Sequence, residues 1–136
     1  MPFANRYLLD THIFLWSLLE PRRLPEHVAL ELEDPNNEIW LSPITTWEVL
    51  MLAEKGRIEL DDTPTLWVEK VLSTLAFKQA PLNHEVALKS RLLSFTHQDP
   101  ADRFLAASAW VYELTLVTAD SNIISGAKGF SVLPAL

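Results

Sequence analysis

Short apolar runs alternate with segments of helical spacing along this chain, and that alternation narrows the possible folds most. Apolar runs at residues 7–9, 39–41 and 114–118 predict buried strands, because each is short and is bounded by polar residues. From Thr11 to about Pro21, in contrast, apolar side chains recur at helical spacing. Short strands alternating with helices are typical of a parallel sheet covered by helices. We therefore predict a three-layer α/β/α sandwich with a mainly parallel sheet.

Several helices are predicted to begin with a capping side chain followed by proline. Ser42-Pro43, Thr63-Pro64 and Asp99-Pro100 share this pattern. The cap accepts a hydrogen bond from the first turn, and proline suits the first helical position. Gly56 supplies a stop for the helix that begins at Pro43. The remaining predicted elements are helices over residues 25–32, 64–75 and 101–112 and from Asn83 to about Phe95, and strands over residues 77–82 and 131–133.

Apolar positions within these elements are predicted to form the core. In the helix over residues 25–32, Val28, Leu30 and Leu32 are the expected buried positions. The helix after Ser42 is predicted to be mostly buried, because apolar residues make up most of it. Five tryptophans mostly have the helical or strand spacing of core residues, so core packing is predicted for them: Trp16, Trp40, Trp47, Trp67 and Trp110.

Size and composition restrict the class of protein. The 136 residues suit one domain over residues 1–136, and 49% hydrophobic with 21% charged residues is an ordinary globular composition. No apolar stretch approaches the roughly 20 residues of a membrane span, and the N-terminus lacks the features of a signal peptide. We therefore expect a soluble cytoplasmic protein. Since there is no cysteine, disulfides and thiolate chemistry are excluded.

Four acidic residues are predicted to meet at one edge of the sheet. Asp10 and Asp120 each follow a predicted strand, at the carboxyl edge where α/β proteins place their chemistry. Glu48 and Asp102 lie in the first turns of helices that open on the same edge. The net charge of −7 argues against a protein that coats nucleic acid by bulk charge. A cation held among the acids would reverse the local field, so phosphate chemistry stays compatible with this charge.

The acids also have structural explanations. Asp99 is most simply an N-cap, Asp102 could complement a helix dipole, and Asp120 could cap the turn that follows it. Asp10 and Glu48 are harder to explain in this way, because they adjoin apolar segments and an unpartnered buried carboxylate is costly. The convergence of the acids therefore carries the prediction.

An oxygen-only cluster of carboxylates suits a hard cation such as Mg²⁺ or Mn²⁺. The histidines do not have the spacing of a zinc site: His12, His27, His84 and His97. A Mg²⁺ held by carboxylates commonly activates water and neutralises phosphoryl charge. The residues by themselves therefore predict a metal-dependent phosphodiesterase or phosphatase.

Four segments resemble the acidic motifs of PIN domains, in order: Leu8-Leu9-Asp10-Thr11-His12, Thr46-Trp47-Glu48-Val49, Asp99-Pro100-Ala101-Asp102-Arg103 and Val117-Thr118-Ala119-Asp120. Their spacing and the chain length are similar to those of VapC-like toxins of bacterial type II toxin–antitoxin pairs. The resemblance covers nearly the whole chain and implies a parallel sheet of about five strands. It also implies a Mg²⁺- or Mn²⁺-dependent endoribonuclease, in which metal-activated water hydrolyses RNA and leaves a 3′-hydroxyl and a 5′-phosphate.

Carried over to this chain, the catalytic and metal-binding residues are Asp10, Glu48, Asp102 and Asp120, with Asp99 outside this set. For the residues beside these acids, more than one role is consistent with the sequence. Thr11 and Thr118 either orient the acids or only begin a helix and fill a strand. Arg103 either pairs with an acid or with RNA phosphate, or it is an exposed, solvated arginine. Asn122 stands where some PIN domains carry a further acid, and His12 and His97 either touch substrate or lie on the surface or in loops. One of the five tryptophans could stack on a base, although core packing is the simpler role for each of them.

The resemblance also implies partners. These are an RNA substrate, a small cognate antitoxin and a homodimer within a toxin–antitoxin complex, with no membrane. Because the pocket is acidic, we expect the antitoxin to place an arginine or lysine near the acids. The helices that begin at Thr11 and Pro43 are the expected walls of its apolar groove.

Two other functions compete with a ribonuclease. A catalytically silent PIN-like module that acts only through protein contacts would not need four converging carboxylates. A small metal-dependent phosphatase of the haloacid-dehalogenase type also places an aspartate after its first strand. That class needs a second acid two residues later, where this chain has His12.

Overall fold

The computed structural model describes residues 4–94 and 98–136. Within these residues, five strands form one parallel sheet: β1 (Arg6–Leu9), β2 (Glu38–Leu41), β3 (Lys78–Gln79), β4 (Thr115–Thr118) and β5 (Ser131–Pro134). Their spatial order is β3-β2-β1-β4-β5. β1 is the central strand, with Leu8 opposite Trp40 of β2 and opposite Leu116 of β4. The carboxyl ends of β1 and β4 are therefore adjacent.

Helices connect these strands: α1 (Thr11–Leu19), α2 (Glu26–Glu33), α3 (Pro43–Glu54), α4 (Pro64–Thr74), α5 (His84–Leu92), α6 (Pro100–Val111) and α7 (Ser121–Gly126), with a 3-10 turn at Pro21–Arg23. Ser42 and Asp99 each cap the following helix through a side-chain oxygen, as predicted, and Asn83 caps α5 in the same way. Thr63 occupies the cap position of α4, but within the described chain its side chain makes no hydrogen bond to that helix.

Successive side chains of the central strands face two separate helical layers. Leu9 and Val117 pack in one core with residues from α1 to α4, whereas Leu8 and Leu116 pack in another with α6 and α7. This division follows from the alternation of side chains along a strand. α5 packs against α6, and Val86 of α5 lies in one cluster with alanines of α6. The predicted three-layer α/β/α sandwich and its parallel sheet are confirmed.

The strand predicted over residues 77–82 is shorter than expected. Only Lys78–Gln79 form β3, and the backbone N–H of Ala80 donates to the carbonyl of Leu41 at 2.8 Å. Pro81 follows and has no N–H, so it cannot continue the ladder.

Helix ends differ from the prediction by a few residues. α2 begins at Glu26, because Pro25 occupies the N-cap position. α5 ends at Leu92, and the predicted end near Phe95 lies outside the described residues. No helix within the described residues is long and apolar enough to cross a bilayer.

Two expected core positions are exposed. Leu30 is 61% exposed and Trp47 is 57% exposed. Val28 is the buried residue of α2, and Thr45 and Val49 are the buried residues of α3. Since each residue turns the helix by about 100°, a residue two positions from a buried one lies about 200° around the helix. The core predictions for Leu30 and Trp47 are therefore wrong.

Gly129→Ala should destabilise the protein more than Gly56→Ala. Both glycines have positive φ, at 85° and 68°, which costs an L-residue about 1–2 kcal/mol. A Cβ at Gly129 would lie 2.1 Å from Cζ3 of Trp110, whereas nothing lies within 4 Å of a Cβ at Gly56. The overlap should add about 1–3 kcal/mol at Gly129. Urea unfolding of the two variants measures this difference, and equal losses would contradict the packing of Trp110.

Candidate active site

Asp10 lies directly after β1 and caps α1. Its Oδ1 accepts a hydrogen bond from the backbone N–H of Ile13 at 2.8 Å, and its Oδ2 accepts one from the Thr118 hydroxyl at 2.5 Å. Only 7% of Asp10 is exposed. Burial raises the pKa of Asp10, while these hydrogen bonds oppose the rise. Its carboxylate is thus held in one position and desolvated at the sheet edge.

Glu48 extends from α3 toward the start of α1. Its Oε1 accepts a hydrogen bond from the buried Thr11 hydroxyl at 2.5 Å, and Thr45 Oγ1 lies 3.3 Å from Thr11 Oγ1. Burial raises the pKa of Glu48, and the negative charges of Asp102 and Asp99 raise it further. Thr11, the residue that follows Asp10, therefore links Glu48 of α3 to the start of α1.

Asp99 and Asp102 occupy the start of α6. Asp99 Oδ1 accepts from the backbone N–H of Asp102 at 3.2 Å, which is the capping role expected for Asp99. Asp102 is half-buried, and its negative charge raises the pKa of both Asp10 and Glu48. Asp102 therefore acts electrostatically on the other two acids.

Asp120 follows β4 and caps α7. Its Oδ1 accepts from the backbone N–H groups of Asn122 and Ile123 at 2.8 and 3.1 Å. Its own N–H donates to Thr118 Oγ1 at 3.0 Å, and that hydroxyl in turn donates to Asp10. Thr118 thus connects the acids at the ends of β1 and β4.

The acids line one cleft of about 240 Å³ at the carboxyl edge of the sheet. Its lining residues are Asp10, Thr11, His12, Trp16, Glu48, Asp99, Asp102, Ala119 and Asp120. In the part of the chain that the structure describes, no three acidic, histidine or cysteine side chains are already grouped tightly enough to hold a metal. The cleft therefore gathers the acids without presenting a closed set of ligands.

Residues 7–129 match the profile of the PIN domain, a span that contains all the acids of the cleft. The chain belongs to the PIN-domain family. This confirms the resemblance seen in its four acidic motifs. The PIN domain is 32% identical over 121 residues to Ribonuclease VapC22 of Mycobacterium tuberculosis (strain ATCC 25618 / H37Rv), across 87% of this chain and 89% of that protein.

Solved structures share the fold of this PIN domain. DNA-bound VapBC from Salmonella typhimurium aligns with a TM-score of 0.70 and 20% identity over 98% of this chain and 100% of that one. VapBC2 from Rickettsia felis, bound to a DNA fragment from its promoter, aligns with a TM-score of 0.69 and 20% identity over 95% and 98%. A toxin–antitoxin complex from Klebsiella pneumoniae aligns with a TM-score of 0.69 and 24% identity over 96% and 98%. At these identities the likeness concerns the fold alone.

Arg103 is buried, which contradicts one of its predicted roles, that of an exposed, solvated arginine. It is only 6% exposed, its Nε donates to the carbonyl of Ser90 at 2.9 Å, and its Nη2 donates to the carbonyl of Leu93 at 3.3 Å. An arginine engaged in this way ties α6 of the PIN domain to the end of α5. His97, the other residue with an open role near α6, lies outside the described residues.

His12 and Trp16 both line the cleft, and the sequence did not predict that they lie there side by side. Trp16 packs against the core that contains Ile13 and Phe14, as predicted. It is only half-buried, however, and it also lines the cleft beside His12, with ring centroids 6.4 Å apart. Their i,i+4 spacing from a helix start at the sheet edge is the sequence signal that could have revealed this placement.

Proposed function

We propose that this chain is a Mg²⁺- or Mn²⁺-dependent endoribonuclease of the cytoplasm and the toxin of a toxin–antitoxin pair. The observation that carries this proposal is the convergence of Asp10, Glu48, Asp102 and Asp120 in one cleft. The relative named Ribonuclease VapC22 supports RNA as the substrate. The protein complexes among the fold neighbours support an antitoxin as the partner.

The donor set of the cleft fits a hard divalent cation. Every acidic ligand offers oxygen, and Mg²⁺ and Mn²⁺ prefer oxygen ligands. Burial raises the pKa of Asp10 and of Glu48, and Asp102 adds repulsion to both. A cation between these carboxylates would offset that cost, so we propose Asp10, Asp102 and Asp120 as ligands, with Glu48 completing the set.

The protein's own contribution is to hold charged groups in place before substrate arrives. Thr118 restrains Asp10 and Asp120 together, and Thr11 restrains Glu48. Such restraint favours catalysis, because it reduces the reorganisation that reaction would otherwise require. The chemistry that a divalent cation supplies when bound is activation of water and neutralisation of phosphoryl charge.

The competing functions receive less support from the cleft. A silent binding module would have no use for desolvated carboxylates that oppose one another's ionisation. For the phosphatase, the position two residues after Asp10 is His12, which supplies no acid there. Neither alternative accounts for the whole acidic set.

The purified protein should cut RNA in Mg²⁺ and stop when EDTA is added. Cellular RNA incubated with the protein, followed by mapping of new 5′ ends, measures this activity and locates a cut site. The expected products carry a 5′-phosphate and a 3′-hydroxyl, as membership of the PIN-domain family implies. If a small protein is encoded beside the gene for this chain, that protein, co-purified with the chain as the candidate antitoxin, should suppress the cleavage. Cleavage that continues undiminished in EDTA would contradict the metal-dependent mechanism.

A further inference from the structure

We infer that Trp16, together with the Arg23 side chain stacked on it, binds a base of single-stranded RNA beside the acidic cleft. The inference rests on the proposed ribonuclease function and names side chains that would hold its substrate. The acids cannot attract RNA by themselves, since carboxylates repel phosphates and the whole chain carries a net charge of −7. A bound divalent cation would offset this repulsion within the cleft, and groups at the rim of the acidic set would supply further affinity for a nucleotide.

Trp16 has the position that such a group requires. It lies one helical turn after His12 on α1, and the two ring planes meet at 61°. Side chains on a helix lean toward its N-terminus, and α1 begins at the cap formed by Asp10. This direction is toward the acids, and Trp16 lines the same cleft while it also packs against the core. It is the tryptophan among the described residues that lines this cleft.

Arg23 supplies the positive charge. Its guanidinium carbon lies 4.4 Å from the centroid of the Trp16 ring, and its Nη1 lies 3.1 Å from Glu20 Oε2. The Arg23 side chain is 58% exposed. A cation over an aromatic face is attracted by the ring and restrains it. Trp16 and Arg23 thus form a stack whose charged member remains accessible to a phosphate.

Single-stranded RNA matches this stack better than a folded duplex does. Unpaired bases stack on aromatic rings and on arginine planes, whereas paired bases are already stacked within the helix. The base adds to the Trp16–Arg23 stack, and the adjoining phosphate is then held near the acids. Stacking of this kind tolerates different bases, so it sets affinity and register rather than base identity.

The experiment uses a short single-stranded oligoribonucleotide spanning the cut site mapped in cellular RNA. Trp16→Leu should raise the KM for its cleavage by about tenfold, because it keeps apolar bulk and loses the aromatic face. Its kcat should stay near the wild-type value, and Trp16→Phe should restore most of the KM. Arg23→Gln should raise the KM severalfold.

Arg6→Gln is the matched control. Arg6 also lies over a tryptophan, with its guanidinium carbon 5.0 Å from the Trp40 ring, and is paired with Glu38 at 3.2 Å. It lies at the start of β1, at the end of the sheet opposite the cleft, so the KM should not change.

An unchanged KM in Trp16→Leu and Arg23→Gln, with wild-type cleavage intact, would overturn this inference and leave the proposed function standing. So would an unchanged KM combined with loss of inhibition by the small protein, since the stack would then bind a protein partner. A wild-type protein that cuts no RNA would overturn both.

Discussion

Asp120→Asn should lower RNA cleavage by about 100-fold or more while leaving the fold intact. Loss of residues that only orient metal ligands commonly costs 10- to 100-fold, and loss of a ligand charge should cost at least as much. Asparagine caps helices as well as aspartate does, so its Oδ1 can keep the hydrogen bonds from Asn122 and Ile123. The substitution therefore removes the charge with little change in structure. Cleavage rates on the mapped oligoribonucleotide and thermal unfolding midpoints measure the two effects.

Asp99→Asn is the matched control for this substitution. Asp99 also caps a helix through Oδ1 and also lines the cleft, but it lies outside the proposed ligand set. We expect Asp99→Asn to lose less than tenfold in cleavage rate. This loss would come from the charge of Asp99, which acts on Glu48 less strongly than that of Asp102 does. Full activity in Asp120→Asn would remove Asp120 from the ligand set, and equal losses in both variants would point to general charge rather than ligation.

The positions of the acids were predictable because backbone topology alone determines them. Asp10 and Asp120 follow strands that pair side by side, so their convergence required only the element order and a parallel sheet. The hydrogen bond from Thr118 to Asp10 was less predictable, because these residues are 108 positions apart and their contact depends on the register of β1 and β4. Strand register is determined by packing that sequence spacing does not reveal.

Side-chain direction was the part that sequence patterns predicted least well. Arg103 follows an acid in the motif, yet its guanidinium turns to the carbonyls of Ser90 and Leu93, which only the docking of α5 on α6 brings near. Trp16 has apolar neighbours in sequence, yet its ring reaches the cleft. In both cases tertiary contacts outweigh local pattern. At Trp16 the reason is that a helix can have more apolar residues than its buried face accommodates.

Asp10→Asn should be more stable than wild type without metal and less stable than wild type when Mn²⁺ is bound. Burial raises the folded-state pKa of Asp10 above its unfolded value, so its ionisation at neutral pH costs stability. The amide oxygen of the substituted side chain could still accept the hydrogen bond from Ile13, which keeps the helix cap. In EDTA at pH 7 the variant should therefore unfold at a higher temperature than wild type. In Mn²⁺ at about 100 times its Kd, wild type should gain about 2.7 kcal/mol and the variant much less.

The pH dependence of Asp10→Asn gives a second test of the same carboxylate. A protonated Asp10 stabilises the folded state below its unfolded pKa, and that stability is lost as the pH rises through the raised folded pKa. The advantage of the variant in EDTA should therefore grow from acidic to neutral pH, with Asp102 and His12 as the charged neighbours that modulate it. Asp61→Asn, which removes an exposed charge outside the cleft, should show neither effect. Equal Mn²⁺ stabilisation of wild type and Asp10→Asn would exclude Asp10 as a ligand, because a ligand's loss must weaken the linkage between metal binding and folding.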